Sequence, residues 1–207
     1  MRVLFVTSEA YPLAKTGGLA DVSRSLPMAL AARGIDVRIL MPAYPRAMTR
    51  IEKSRIVTRM PEMIGVDDGV LIAGNMPDAD IPVYLADSPT LYRRPGGLYQ
   101  DEDGAVWPDN ARRFAYLSHA AAWIAQDKAK LSWQPDIVHA NDWHTGLLPL
   151  ILKMCNGPKP STIFTTHNMA FQGNFDAEVL DHVGIPNCYY KSGEIEFYGM
   201  LSYLKAG

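Results

Sequence analysis

The run from Val3 to Thr7 is apolar until its last residue and gives way to Ser8, Glu9 and Pro12. A run that short and that evenly apolar predicts a strand buried on both faces, as in a parallel sheet. Leu19, Val22, Leu26, Ala29 and Leu30 then recur at helical spacing, and Gly34 supplies a stop. Pro27 falls inside that pattern and predicts a kink. "IDVRILMP" returns as a second strand, so residues 1–42 read as a βαβ unit. Residues 51–87 are β-rich, with Asp68-Gly69 as the expected hairpin turn and "IPVYLA" as a further strand. "RRPGGLYQDEDG" is a loop by composition, and Asp109 predicts the N-cap of a helix that carries Phe114, Leu117, Ala121 and Ile124 on one face. "DIVHA" and "STIFTT" are two more buried strands, with "TGLLPLILKM" as the crossover between them. Strands alternating with helices predict an α/β, doubly wound, mostly parallel sheet with helices on both faces and a β-hairpin insertion. Its ligands belong beyond the carboxyl ends of the strands.

Composition narrows the ligand more than the fold. The 207 residues are 48% hydrophobic and 20% charged, which fits a globular protein and excludes disorder. A formal charge of −2, with lysines and arginines scattered along the chain, gives no electrostatic footprint for nucleic acid or an anionic membrane. Cys155 and Cys188 stand far apart in no zinc-ligand spacing, so reduced, buried thiols are expected rather than a disulfide or a metal site. The apolar run at the N-terminus is too short for a signal peptide, and no stretch approaches the ~18 apolar residues that span a bilayer. A cytoplasmic location is the expectation.

Three clusters carry candidate chemistry. In "AKTGGLADV" the glycines Gly17 and Gly18 fall between the first strand and the first helix, where unpaired N–H groups and the helix dipole favour an anion and Lys15 adds a point charge. The pattern is neither of the two common phosphate fingerprints, G-x-G-x-x-G and G-x-x-x-x-G-K-[ST], and a tight turn that binds nothing is the plain alternative. "HANDWHTGL" and "THNMAFQGNF" each follow a predicted strand, so two strand ends are expected to bring His139, Asp142, His144, His167 and Asn168 to the crevice that Gly17 and Gly18 overlook. Taken singly, each histidine reads more readily as a structural hydrogen bonder. Among the loop aromatics Tyr92, Tyr99, Trp107, Trp143, Phe171, Tyr189 and Tyr190, most are expected in the core and one or two at a crevice rim, where a sugar ring's apolar face would stack.

"VTSEAYPLAKTGGLADVSRSLPMAL", "RPGGLYQDEDG", "DNARRFAYLSHAA", "PDIVHANDWHTGL", "TTHNMAFQG" and "YLKAG", in this order, closely resemble the N-terminal half of the bacterial glycogen synthases and plant starch synthases. The resemblance covers the whole chain. It implies a glucosyltransferase of the GT-B type, with two Rossmann-like domains and the active site between them. Glucose would pass from ADP-glucose to the non-reducing end of an α-1,4-glucan such as glycogen with retention of configuration, using no metal and no cofactor. By the same resemblance Lys15, Gly17 and Gly18 would approach the distal phosphate of the donor, with Asn168 on the donor side. His167 would hold the transferred glucose, Asp142 would orient the reacting sugars, Asp21 would support the loop and the acceptor side, and Tyr99 would line the path of the glucan acceptor.

The resemblance also implies that residues 1–207 form the acceptor-side domain and dock on a C-terminal nucleotide-binding domain of the same enzyme. The tail "EFYGMLSYLKAG" is expected to pack against that second half. The alternatives are an isolated glucan-binding or inert half-enzyme, or a related glycosyltransferase using UDP-glucose or sucrose.

Overall fold

The computed structural model describes residues 1–157 and 159–207. In chain order the strands of the main sheet are β1 (Arg2–Val6), β2 (Asp36–Pro42), β3 (Glu52–Arg59), β4 (Val70–Asn75), β5 (Pro82–Asp87), β6 (Ile137–Asn141) and β7 (Ser161–Thr165). Among them run helices α1 (Gly18–Ala31), α2 (Pro45–Arg50), α3 (Pro89–Tyr92), α4 (Asn110–Ala125) and α5 (Leu147–Met154). The order across the sheet is β3-β4-β5-β2-β1-β6-β7. Pairings β5–β2, β2–β1, β1–β6 and β6–β7 are parallel, while β3–β4 and β4–β5 are antiparallel. This is the doubly wound sheet with its hairpin insertion.

The centre of the sheet is dry because its strands carry apolar side chains on both faces. Val3, Leu4, Phe5 and Val6 of β1, and Ile39, Leu40 and Met41 of β2, are all buried. Helix α1 packs on β2, α4 packs on β1 and β2, and α4 and α5 pack against each other; the right-handed rule for parallel crossovers assigns α1 to one face and α4 and α5 to the other. From β1 the chain winds outward through β2 and β5 to one side and through β6 and β7 to the other. The switch point therefore lies between β1 and β6, and a crevice opens there at the strands' carboxyl ends.

Several local expectations are corrected. The reversal between β3 and β4 is not at Asp68-Gly69. Met63 and Val66 exchange both backbone hydrogen bonds, and Ile64 and Gly65, at φ 49° and 72°, make the two-residue turn. Asp68 instead accepts bonds from the Ser88 hydroxyl at 2.6 Å and the Thr90 amide at 2.9 Å. Gly69 is small because a Cβ there would meet the Tyr116 hydroxyl at 2.0 Å. Asp109 stands at the N-cap of α4 without capping it, and its carboxylate takes a two-pronged bond from Arg94 at 2.9 and 2.7 Å. Pro27 lies inside the continuous α1, where its missing N–H removes one helical hydrogen bond. Neither thiol is fully buried, since Cys155 is half-buried and Cys188 exposed.

Beyond β7 the chain adds a three-stranded sheet of β8 (Asn174–Asp176), β9 (Glu196–Phe197) and β10 (Met200–Ser202), ordered β8-β10-β9. The short helices α6 (Leu180–Val183), α7 (Asn187–Lys191) and α8 (Tyr203–Ala206) follow, and 3-10 turns occur at Trp143–Thr145 and Ala177–Val179. Part of the tail packs on this chain, while its Tyr198 is 89% exposed. Leu201 and Tyr203 are completely buried, and the Tyr203 hydroxyl donates to the Ala111 carbonyl of α4 at 2.7 Å. Gly146, at the start of α5, would place a Cβ 1.9 Å from the Tyr203 carbonyl oxygen, so the tail and α5 meet backbone to backbone.

Candidate functional site

A cleft of about 1130 Å³ lies over the switch point. Its lining includes Gly17 and Gly18 from the β1–α1 loop, Asp142, Trp143 and His144 after β6, and His167 and Asn168 after β7. Tyr99 enters from the long loop before α4. Six of the eight residues to which the resemblance gives roles thus line one cavity. Lys15 and Asp21 are not among its lining residues, and they pair with each other at 2.7 Å in a solvent-exposed bridge. The pair links the loop to the first turn of α1, and the Lys15 charge is engaged in it.

The floor comes from β6. As the strand ends, Asp142 takes φ 61° and ψ 174°, an uncommon conformation for a non-glycine residue. Surrounding bonds hold it there. Its N–H donates to the Thr165 carbonyl at 2.8 Å, and its carboxylate accepts from the Trp143 N–H at 2.9 Å. Burial raises the Asp142 carboxyl above its ordinary range, while the Trp143 N–H and the neighbouring His167 pull it down.

The histidines divide by role. His139 does not line the cleft: its ring stands edge-on to Phe5 at 5.0 Å, and its Nε2 meets the Thr165 hydroxyl at 2.8 Å. It is a structural bond between neighbouring strands. His144 stacks between Trp143, at 3.9 Å between ring centroids, and Tyr99, at 4.7 Å. Burial, with Arg113 nearby, holds its imidazole far below the usual range, so the ring is neutral and serves as a stacking partner. His167 is half-buried, and its Nε2 lies 3.1 Å from the Asn141 side-chain oxygen. Of the three it is the one that lines the cleft while only half-buried.

The glycine loop departs from expectation in one respect. Gly17 and Gly18 face the cleft with no heavy atom within 4 Å of a Cβ placed on either, which fits the close approach of a ligand to backbone. The Gly17 N–H is not free, however, because it points at the Glu9 carboxylate, 3.3 Å away. Glu9 was missed by reading the sequence, and only its position three residues past β1 marks it. Tyr99 is among the lining residues, and its hydroxyl is bonded to Ser8 at 2.9 Å and Glu9 at 2.6 Å. Burial first, with Tyr44 and Glu9 adding, holds that phenol protonated well above its ordinary range. Asn168 uses its side-chain oxygen to accept from the Ala170 N–H at 2.9 Å, shaping the loop that carries Phe171, 64% exposed, to the rim. Among the described residues no cluster of three metal-ligating side chains occurs, and no helix is long and apolar enough to cross a membrane.

Residues 2–207 match the family model described as the starch synthase catalytic domain. Glycogen synthase of Burkholderia thailandensis is 50% identical over 204 residues, which cover 99% of this chain and 38% of that protein. Glycogen synthase of Rhodospirillum rubrum is 46% identical over 207 residues, covering 100% of this chain and 43% of that one. This chain therefore spans about two fifths of the length of the curated relatives it matches. Among solved structures, the catalytic domain of starch synthase IV from Arabidopsis thaliana, bound to ADP and acarbose, has a similar fold. The TM-score is 0.78 at 24% identity, over 99% of this chain and 42% of that one.

Proposed function

This chain belongs to the starch synthase catalytic-domain family, and from that premise we propose that it forms the acceptor-side half of a retaining glucosyltransferase. The donor is ADP-glucose, and the acceptor is the non-reducing end of an α-1,4-glucan such as glycogen. The observation that carries this reading is the convergence of three strand-end loops, after β1, β6 and β7, on one cleft lined by Gly17, Gly18, Asp142 and His167. The enzyme works in the cytoplasm, and the cleft closes against a second, nucleotide-binding domain.

Each group has a distinct task. As the bond from the anomeric carbon to the diphosphate breaks, negative charge grows on the phosphate oxygens, and N–H groups at the start of α1 stabilise it. Lys15 joins them by leaving Asp21, a surface pair that costs little to open. Positive charge grows on the sugar, and His167, held by Asn141, contacts the glucosyl group from the opposite wall. Asp142 orients the reacting hydroxyls, and the Tyr99 ring with the exposed Phe171 forms an apolar rim for the glucan chain. Asn168 shapes the donor-side edge.

One wall is not sufficient for this chemistry. Positioning two reactants accounts for ~7–11 kcal/mol of barrier lowering, and a half-cleft open to water forfeits most of it. The test is a radiolabelled transfer assay with ADP-glucose and UDP-glucose on a glucan acceptor, using residues 1–207 alone and mixed with a separately expressed second half. The expected result is ADP-glucose-dependent elongation only in the mixture. Turnover by residues 1–207 alone refutes the two-walled reading, and elongation from UDP-glucose alone refutes the donor assignment.

A further inference from the structure

A carboxylate already occupies the groups that this fold offers to an anion. Glu9 is only 3% exposed and accepts four hydrogen bonds from two different loops. Its Oε2 takes the Thr16 N–H at 2.6 Å and the Gly17 N–H at 3.3 Å. Its Oε1 takes the Thr16 hydroxyl at 2.6 Å and the Tyr99 hydroxyl at 2.6 Å. Among the described residues it forms no ion pair, and all four of its hydrogen-bond donors are neutral groups.

Those donors are the ones a phosphate would use. Gly17 precedes α1 and Thr16 precedes Gly17, so their N–H groups stand outside any helical hydrogen bond and beside the positive end of the dipole. A second anion cannot share them with Glu9, because like charges a few ångströms apart in a half-dry cleft repel strongly.

We propose that Glu9 is a built-in stand-in for the donor's phosphate, displaced from Thr16 and Gly17 when a nucleoside diphosphate binds. The proposal rests on the reading of the cleft as a nucleotide-sugar site. In the empty cleft the carboxylate keeps the glycine loop ordered and pins Tyr99. When it leaves, Tyr99 loses one of its two hydroxyl partners on the acceptor side, so donor binding prepares the acceptor wall. By reciprocity an acceptor that engages the Tyr99 hydroxyl favours donor binding.

The experiment uses the intact enzyme that carries this chain, with ADP as the probe. Glu9→Gln keeps the length and one acceptor oxygen but removes the charge, and it is expected to bind ADP ~3-fold tighter or more by calorimetry. In the ¹⁵N-labelled wild type, ADP is expected to shift the Thr16 and Gly17 amide resonances together, a readout that does not depend on the variant folding. ADP binding that leaves both resonances in place, or equal or weaker binding by a folded Glu9→Gln variant, overturns the proposal. If the wild type fails to bind ADP at all, the functional reading itself falls and the stand-in role falls with it.

Discussion

His167 Nε2 and Asn141 Oδ1 lie 3.1 Å apart, bridging the carboxyl ends of the neighbouring strands β6 and β7. The amide of Asn141 has only one sensible orientation, because its nitrogen donates to the carbonyls of Val6, at 3.2 Å, and His139, at 3.1 Å. Its oxygen must then accept from His167, so the ring carries its proton on Nε2 and turns Nδ1 elsewhere. A side chain rooted in the central strands thereby fixes both the tautomer and the angle of the cleft histidine.

Because the proposed contacts of His167 strengthen as the glucosyl cation develops, His167→Ala in the intact enzyme is expected to lower kcat by roughly 10²–10³ with much less effect on donor KM. Asn141→Ala is expected to move the same parameter in the same direction by a smaller factor, since the ring remains but is no longer held. Steady-state kinetics with varied ADP-glucose make the comparison. A His167→Ala enzyme with intact kcat and a raised KM would mark the histidine as a ground-state binder.

Two glycines separate ligand access from packing. Gly18→Ala is expected to leave the fold unchanged or stabilise it by about 0.4–1 kcal/mol, because the position is helical and the added methyl meets nothing, while donor affinity falls. Gly146→Ala, which drives a methyl into the Tyr203 carbonyl, is expected to cost roughly 1–3 kcal/mol or more. Urea denaturation of both variants decides it, and equal destabilisation would contradict the geometry.

Acid should weaken the fold through its buried histidines. Burial lowers His144 strongly and lowers His119 and His139 as well, from an ordinary value of 6.5. Below that value the unfolded chain takes up protons that the native state refuses, so stability is full above it and declines as pH falls toward the depressed native values. Each such group contributes a slope of at most ~1.4 kcal/mol per pH unit. Denaturant midpoints measured in steps from pH 7.5 to pH 5 are expected to fall, and less steeply in His144→Phe, which keeps a ring in the stack. A profile identical to wild type would show that His144 is not the neutral ring described.

Asp142 has the opposite sign. Its carboxyl is raised, so ionisation at neutral pH costs the native state stability that is recovered as pH falls toward the ordinary value of 3.8. Asp142→Asn keeps an oxygen for the Trp143 N–H and is expected to be at least as stable as wild type at pH 7, with the difference closing in acid. In the intact enzyme the same variant is expected to lose ~10-fold or more in kcat. A variant that is less stable at pH 7 would contradict the burial argument, and one that keeps its activity would remove Asp142 from the chemistry.

The sheet was legible where one cause dominated. Largely apolar runs marked β1, β2, β5 and β6, helical spacing marked α1 and α4, and the strand-end rule then located the cleft without any contact being known, whereas β7, expected as a buried strand, is an edge strand with Ser161, Thr162 and Ile163 exposed. Misreadings arose where a residue serves a distant partner. Asp68-Gly69 has turn chemistry, yet the aspartate is tied to Ser88 and Thr90, and the glycine makes room for Tyr116. Asp109 has the chemistry of a cap and is held by Arg94. Glu9 carried no signal of spacing at all, because its four donors come from residues 7 to 90 positions away in the chain. The tail looked unpartnered in sequence, since nothing local reveals that Tyr203 reaches Ala111.

The stack of Tyr99, His144 and Trp143 gives the cleft an optical consequence. Trp143 is the one of the four tryptophans that lines the cavity, and its indole lies against a neutral imidazole whose far face touches the phenol bonded to Glu9. Disturbing Tyr99 or its loop changes what stacks on that imidazole, and with it the electronic surroundings of a single chromophore. With Trp107, Trp123 and Trp133 replaced by phenylalanine, the emission of Trp143 becomes an unlabelled gauge of how the loop that carries Tyr99 sits against the end of β6.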